Sequence, residues 1–352
     1  MRPPRLTTCL LALGLGGCGS TAHPAPETAS PSPSSATQTR NETETEAPLE
    51  LIELGPGIWA ALQPTPLRFT DSNSLLVATR EGTLIIDAQT DPRSVDYLLA
   101  SFERLRLPPP RWLVYTHWHL DHTLGAAAYS DASKGQLEII GHAALVEGGL
   151  IRSRTREQLE ELRASLRSAG RDELLRKVDV ELLEPTKLVR SREALELGGI
   201  AMVIHPVEAH TDGDLLVEFP ELDLWATGDV LDALPFAGHG HPVNWGGALS
   251  SISLGPNTRV LPGHGGMFEG PAQLERMRRY WGIVVEEVRA ARARGESVEV
   301  LRARLLADDS VLGELRSELV VDPVSTRAFQ AWLPEAVAKT WAELEEPGPD
   351  TR

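Results

Sequence analysis

Cysteine is nearly absent from this sequence. Of 352 residues only Cys9 and Cys18 are cysteine, and both fall within the first eighteen positions. If Cys9 leaves with a leader and Cys18 carries a lipid, no thiol is left, so a disulfide framework is excluded and any metal ligand must be histidine or carboxylate. Basic charge is also short. There are 34 Lys and Arg against 50 Asp and Glu, a formal net charge of −16, which argues against a nucleic-acid partner because a phosphate backbone is bound mainly by Lys and Arg. No apolar run is long enough to cross a bilayer: residues 6–17 form an apolar stretch, well under the roughly 20 residues a spanning helix needs. Aromatics make up 5%, although eight of them are Trp. What remains is ordinary for a soluble domain, with 41% hydrophobic and 24% charged residues, and the length allows one or two domains.

The start of the chain has a separate logic. Arg2 and Arg5 precede the apolar stretch, which ends in Leu15-Gly16-Gly17-Cys18. Residues 1–17 therefore read as a secretory signal, outside the fold. The closing box resembles the lipobox of bacterial lipoproteins, which implies that Cys18 becomes a lipidated first residue. Gly19 stands where an inner-membrane retention signal would place Asp. The expectation is an exported protein, lipid-anchored in the bacterial cell envelope at the outer membrane and facing the periplasm. Residues 18–48, rich in Ser, Thr, Pro and Ala with a run of glutamates, cannot build a core and read as a disordered tether.

Folded sequence is expected from residue 49. Residues 49–54 and 58–62 read as strands about the turn Gly55-Pro56-Gly57, and 74–79 and 83–87 as a hairpin across Arg80-Glu81-Gly82. In 92–104 Val95, Leu98, Leu99 and Phe102 share a helical face. A strand at 112–115 then runs directly into Thr116-His117-Trp118-His119-Leu120-Asp121-His122. Three of the chain's ten histidines and one aspartate thus fall within six positions. Imidazole and carboxylate are the usual zinc ligands, at about 2.0–2.2 Å. A turn leaving a strand can aim His117 and His119 at one ion and Asp121 and His122 at a second. Three further strands, 200–207, 222–226 and 259–261, lead into His210, Asp229 and His264, the last two beside glycines that permit a tight turn.

With His117-x-His119-x-Asp121-His122, His210 in His-Thr-x-Gly, Gly228-Asp229 and Pro262-Gly263-His264-Gly265 in this order, the sequence resembles the metallo-β-lactamase superfamily. That resemblance implies an α/β fold, a four-layer αββα sandwich over 49–290 with a helical C-terminal extension over 291–352. It implies two zinc ions, one held by His117, His119 and His210, the other by Asp121, His122 and His264, with Asp229 bridging. Asp121 would also orient the nucleophile and so act catalytically. The function implied is a zinc-dependent hydrolase in which metal-activated hydroxide attacks an ester, thioester, lactone or amide (lactam) bond of a small-molecule substrate. The zinc-binding cysteine of the best-known antibiotic-destroying branch has no counterpart at Asp229. Two other readings stay open: a mono-iron oxidoreductase of the sulfur dioxygenase type on the same fold, and a non-catalytic metal-binding lipoprotein.

Lesser candidates surround this set. Asp87 ends a strand and could hydrogen-bond a ligating histidine. His239 and His241, in Gly238-His239-Gly240-His241, read as loop residues rather than as the substrate mouth. His142 and His205 read as structural, and Asp232 as a bystander outside the motif. Trp118 and Trp245 could wall a pocket or fill a core. Residues 150–178 have helical spacing and could pack on the sandwich or form a lid. Helical pattern returns at 271–294, 298–307 and 326–344.

Overall fold

The computed structural model describes residues 48–345. The expected leader, most of the expected tether and Cys18, the expected lipid site, lie outside the described residues. Strands alternate apolar side chains between two sides, and the way those sides are filled defines the architecture. One sheet has seven strands in chain order: β1 (Glu50–Gly55), β2 (Ile58–Leu62), β3 (Ser74–Ala78), β4 (Thr83–Ile86), β5 (Pro110–Val114), β6 (Glu138–His142) and β7 (Lys187–Val189). It is antiparallel through β4 and parallel from β4 to β7. The other has six. Along it lie β13 (Phe268–Glu269), β12 (Arg259–Pro262), β11 (Leu224–Gly228), β10 (Asp214–Phe219), β9 (Ile200–Val207) and β8 (Glu193–Leu197).

The period-2 geometry of a strand sends neighbouring side chains to opposite faces. On β5, Trp112 and Val114 enter the core between the sheets while Leu113 and Tyr115 face the helices. On β11, Leu224 and Ala226 face inward and Trp225 outward; on β12, Leu261 faces inward and Val260 outward. Each sheet is therefore buried on both faces. The outer face of the first is covered by the helices Pro92–Leu105 and Arg156–Ser168, and that of the second by Pro242–Ser250 and Ala272–Ala293. This is the αββα order expected.

Several elements differ from the sequence reading. The strand expected at 222–226 starts later. Pro220–Leu222 forms a short 3-10 turn and Asp223 takes φ 46°, so pairing begins only at Leu224. β10 lies outside the strands read from the sequence, although Leu215-Leu216-Val217 is an apolar run preceded by the turn dipeptide Asp212-Gly213. Residues 150–178 are not one helix. One wider π turn, Ile151–Thr155, leads into Arg156–Ser168, and a second short helix, Asp172–Lys177, follows. Leu159 and Leu166 are buried with Trp118, Leu120 and Leu124. The segment is thus packed against the histidine-rich turn, to which the Thr155 hydroxyl (to Trp118 O, 2.5 Å) and Gln158 Oε1 (from Leu120 N–H, 2.8 Å) also bind it.

The boundary set at 290 falls inside the helix Ala272–Ala293. The helices after it, Val298–Ala307, Asp309–Leu319 and Pro323–Glu343, share one apolar cluster with Trp225, Trp245 and Val260 of the sandwich. Arg68 fastens the last of them, its guanidinium meeting both oxygens of Asp322 at 2.7 and 2.8 Å. Asp322 in turn caps that helix by accepting the Val324 and Ser325 N–H groups. Phe69, Trp332 and Phe236 continue the contact as an aromatic row with ring centroids 5.3 and 5.4 Å apart.

Trp245 belongs to this core and walls no open pocket. It is fully buried, stacks on Trp281 at 4.6 Å, and donates its indole N–H to Val230 O at 2.9 Å. Removing so large a buried ring leaves a cavity and an unpaired carbonyl, so Trp245→Ala should lose about 3–5 kcal/mol in urea unfolding. A loss under roughly 0.5 kcal/mol, as for a surface change, would contradict this placement.

Candidate metal centre

Four chain segments end at one edge of the sandwich. They are the turn after β5 (Thr116–His122), the turn from β9 to β10, the end of β11, and the turn after β12. Hydrogen bonds lock them together. Leu215 N–H donates to Thr116 O at 2.7 Å, and Gly263 N–H to Gly228 O at 2.9 Å. Asn73 donates to the Pro262 and Gly265 carbonyls at 3.0 and 2.9 Å. All seven residues singled out from the sequence meet here, and their ligand atoms form two groups. His117, His119, His210 and Asp229 make one; Asp121, His122 and His264 make the other.

Asp229 lies between the groups. Its Oδ2 is 3.2 Å from His210 Nε2, 3.5 Å from His264 Nε2 and 3.7 Å from His117 Nε2, and its Oδ1 is 3.2 Å from His122 Nε2. Asp121 Oδ2 sits 3.1 Å from His264 Nε2 and 3.6 Å from His122 Nε2. The Asp121 side chain is 26% exposed, whereas those of Asp229 and His264 are 6% and 10% exposed. Asp121 is therefore the most exposed of the seven candidate ligands.

The donor set fits divalent ions. Three imidazole nitrogens, His117 Nε2, His119 Nδ1 and His210 Nε2, converge, with His119 Nδ1 2.9 and 3.0 Å from the other two. His122 Nε2 and Asp229 Oδ1 are buried without a hydrogen-bond partner, a costly state unless a cation satisfies both. The proton affinities express the same crowding. Burial, helped by the neighbouring His122, pushes His117 well below the usual histidine range, and burial with His117 and His210 does the same to His119. For His122 burial also opposes charge, but the carboxylates of Asp87, Asp229 and Asp121 outweigh it and lift the ring well above that range.

Outer partners orient the ligands. Asp87 accepts from Thr116 N–H and Oγ1 and lies 2.8 Å from His122 Nδ1. His210 Nδ1 is 2.9 Å from Phe236 O, and His117 Nδ1 is 3.1 Å from Thr116 Oγ1. Asp214 accepts from Ala209 N–H, Thr211 N–H and the Thr211 hydroxyl, bracing the turn that carries His210; burial raises it to about 6. The sequence reading missed Asp214, although Thr211-x-x-Asp214 is a spacing at which a short polar side chain can reach nearby backbone N–H groups.

Two sequence readings need correction, and the open reading of Trp118 is settled. Asp232 is not a bystander. It is buried, accepts His264 N–H at 2.9 Å, and stands within ligand distance of Asp229 and His264. His239 is not a plain loop residue, since its Nδ1 lies 2.8 Å from His119 Nε2. Trp118 is a core residue, only 2% exposed, with its ring edge-on to His119 at 4.3 Å. Among the described residues the other histidines stand apart from the two groups. His241 pairs with Asp212 at 2.7 Å, His205 pairs with Glu218 at 2.8 Å and stacks on Trp225, and His142 accepts Ala144 N–H.

The sequence profile of the metallo-beta-lactamase superfamily matches residues 67–264. The chain is 31% identical over 163 residues to a hydroxyacylglutathione hydrolase of Anaeromyxobacter dehalogenans, covering 44% of this chain and 48% of that protein. It is 27% identical over 220 residues to an acyl-coenzyme A thioesterase of Gallus gallus, covering 58% and 76%. The match thus spans about half the length of the first of these relatives. Among solved structures, a beta-lactamase domain protein from Burkholderia ambifaria superposes with TM-score 0.60 at 17% identity, covering 86% of this chain and 89% of that one. A stereoselective inverting sec-alkylsulfatase from Pseudomonas sp. gives TM-score 0.62 at 15% identity, covering 86% and 52%. At such identities the likeness is one of fold.

Gly263 offers a probe of the central carboxylate. A Cβ there would lie 2.0 Å from Asp229 Oδ1. Gly263→Ala should displace Asp229 and lower metal content, as Asp229→Ala should do directly, with circular dichroism unchanged because the strands remain. Elemental analysis of the purified variants measures this; full metal content in Asp229→Ala would show that this carboxylate is no ligand.

Proposed function

The chain belongs to the metallo-beta-lactamase superfamily, and from that premise we propose that it is a two-zinc hydrolase of acyl thioesters. The observation that carries the proposal is the complete His and Asp donor set, held in two groups about Asp229. The names of the two relatives, a hydroxyacylglutathione hydrolase and an acyl-coenzyme A thioesterase, narrow the bond from the wider set of esters, lactones and amides. A third feature agrees with them. The chain is acidic overall, yet the positive charges of Arg154 and Lys339 both bear on His239 and Asp212 at the rim. Cationic groups there suit a thioester whose thiol carrier is an anion.

Zinc held by these residues would supply Lewis acidity and water activated at neutral pH. The protein's own part is positional. Asp229 spans the two groups and fixes their separation. Asp121, the exposed carboxylate, faces the arriving acyl group and can take a proton from the attacking water. Trp118 and the packed segment 151–168 close the back of the turn and exclude solvent from it.

Purified protein should hydrolyse acyl-coenzyme A or acylglutathione faster than lactams, lactones or phosphodiesters at equal concentration. A chelator should abolish the activity and zinc restore it. A metal-replete protein inactive on every thioester tested, or one that isolates with iron and oxidises a thiol substrate, would sink the proposal.

For the start of the chain, we infer export and attachment to the outer membrane through a lipid on Cys18, on the strength of Leu15-Gly16-Gly17-Cys18 and the following Gly19. Among the described residues no helix is long and apolar enough to cross a membrane. Cys18→Ser should leave the signal uncut or release the protein from the membrane fraction. A variant processed and retained like the parent would refute the lipobox.

A further inference from the structure

Each ligating imidazole has a second nitrogen, and what that nitrogen meets decides which nitrogen is free to bind metal. For His117 the partner is the Thr116 hydroxyl, for His122 the Asp87 carboxylate, for His210 the Phe236 carbonyl. For His119 it is another histidine. His119 points Nδ1 at His117 and His210, while its Nε2 lies 2.8 Å from His239 Nδ1.

We propose that His239 is a positioning residue for the metal centre, the acceptor that keeps the proton of His119 on Nε2 and leaves Nδ1 free as a ligand. The proposal rests on the metal-binding reading of the site but not on any substrate. The proton accounting is closed. A neutral imidazole has one N–H. With the Nδ1 lone pair of His119 directed inward, its N–H must be on Nε2, and His239 Nδ1 is the atom placed to accept it. His239 then carries its own N–H on Nε2. The loop around it is built to hold this position. A Cβ at Gly240 would fall 2.8 Å from Ala209 O and 3.0 Å from the Trp245 ring, so the chain there lies flat on the turn that bears His210. Two hydrogen bonds pin it, Gly240 N–H to Ala237 O at 3.0 Å and His241 N–H to Ala209 O at 2.7 Å. The His239 ring also lies 4.9 Å from Trp118, centroid to centroid, so it is fixed from two sides. An imidazole acceptor is neutral, unlike the carboxylate that serves His122, and it sets His119 without adding negative charge to the His117, His119 and His210 group.

The test separates hydrogen bonding from packing. His239→Phe keeps a ring against Trp118 and His119 but removes the acceptor; His239→Asn places an amide oxygen close to the lost Nδ1. Zinc affinity is read in the full chain by competition with a chromogenic chelator, and the cobalt-substituted spectrum reports ligand geometry, both without substrate. His239→Phe should weaken one of the two zinc ions by roughly 10–100-fold and alter the cobalt bands, while His239→Asn should restore most of both. Parental zinc affinity in His239→Phe would overturn the proposal, and so would equal loss in the two variants. If the parent bound no divalent ion, the metal reading would fall together with it. Normal zinc binding with no thioester hydrolysis would instead count only against the substrate.

Discussion

The Asp229 carboxylate is buried, with nitrogens of four imidazoles, His117, His122, His210 and His264, within 3.7 Å of its oxygens. A carboxylate removed from water is costly unless it is paired or coordinates a cation, and the imidazoles around it come from three other places in the chain. The two sheets must therefore meet at a fixed edge, and the turns that leave β5, β9 and β12 must end within one small volume. Burial would push Asp229 upward, yet His264, His122, His117 and His210 hold it well below the usual carboxylate range. Much else near the site follows from that demand. Asp87 and Asp214 hold turns in place, Asn73 ties two of them together, and Gly263 has no side chain because Asp229 occupies the space.

The sequence made the layers and the ligands legible for different reasons. Strands could be read because short apolar runs such as Trp112-Leu113-Val114 and Leu224-Trp225-Ala226 end in polar turns, while the face each side chain takes appears only in the apolar clusters of the fold. Ligands could be read because a turn after a strand concentrates them: His117 to His122 is one local event, and His210, Asp229 and His264 each end an apolar run. The supporting groups were hidden because they act across the chain. Asp232 follows Asp229 by three residues, but its partner is a backbone N–H thirty-two positions later. His239 reaches His119 across 120 positions, and no periodicity marks either pairing. Only the glycines flanking His239 hinted that its backbone is held close to something. β10 is marked by its pairing with β9 and β11 and also locally, by an apolar run that follows Asp212-Gly213.

The C-terminal helices extend the same core. The row from Phe69 through Trp332 to Phe236 joins the first part of the chain to the last, and the Phe236 carbonyl partners His210. Glu343, near the end of the helix Pro323–Glu343, accepts Val243 N–H at 2.9 Å. It thereby steadies the start of the helix that follows His239 and His241. Charges from the segment after residue 150 (Arg154) and from the last long helix (Lys339) both bear on His239.

The packed segment behind Trp118 has one more consequence. Its Thr155 and Gln158 contacts satisfy backbone groups of the ligand-bearing turn, and its leucines cover that turn from outside. Part of the turn's shape therefore comes from side-chain and peptide contacts outside the donor set. In small zinc domains the ion organises the chain, and its binding energy appears as folding energy. Here the ligand-bearing turn is braced by contacts that do not involve the donor atoms, so less of its shape is left for an ion to organise.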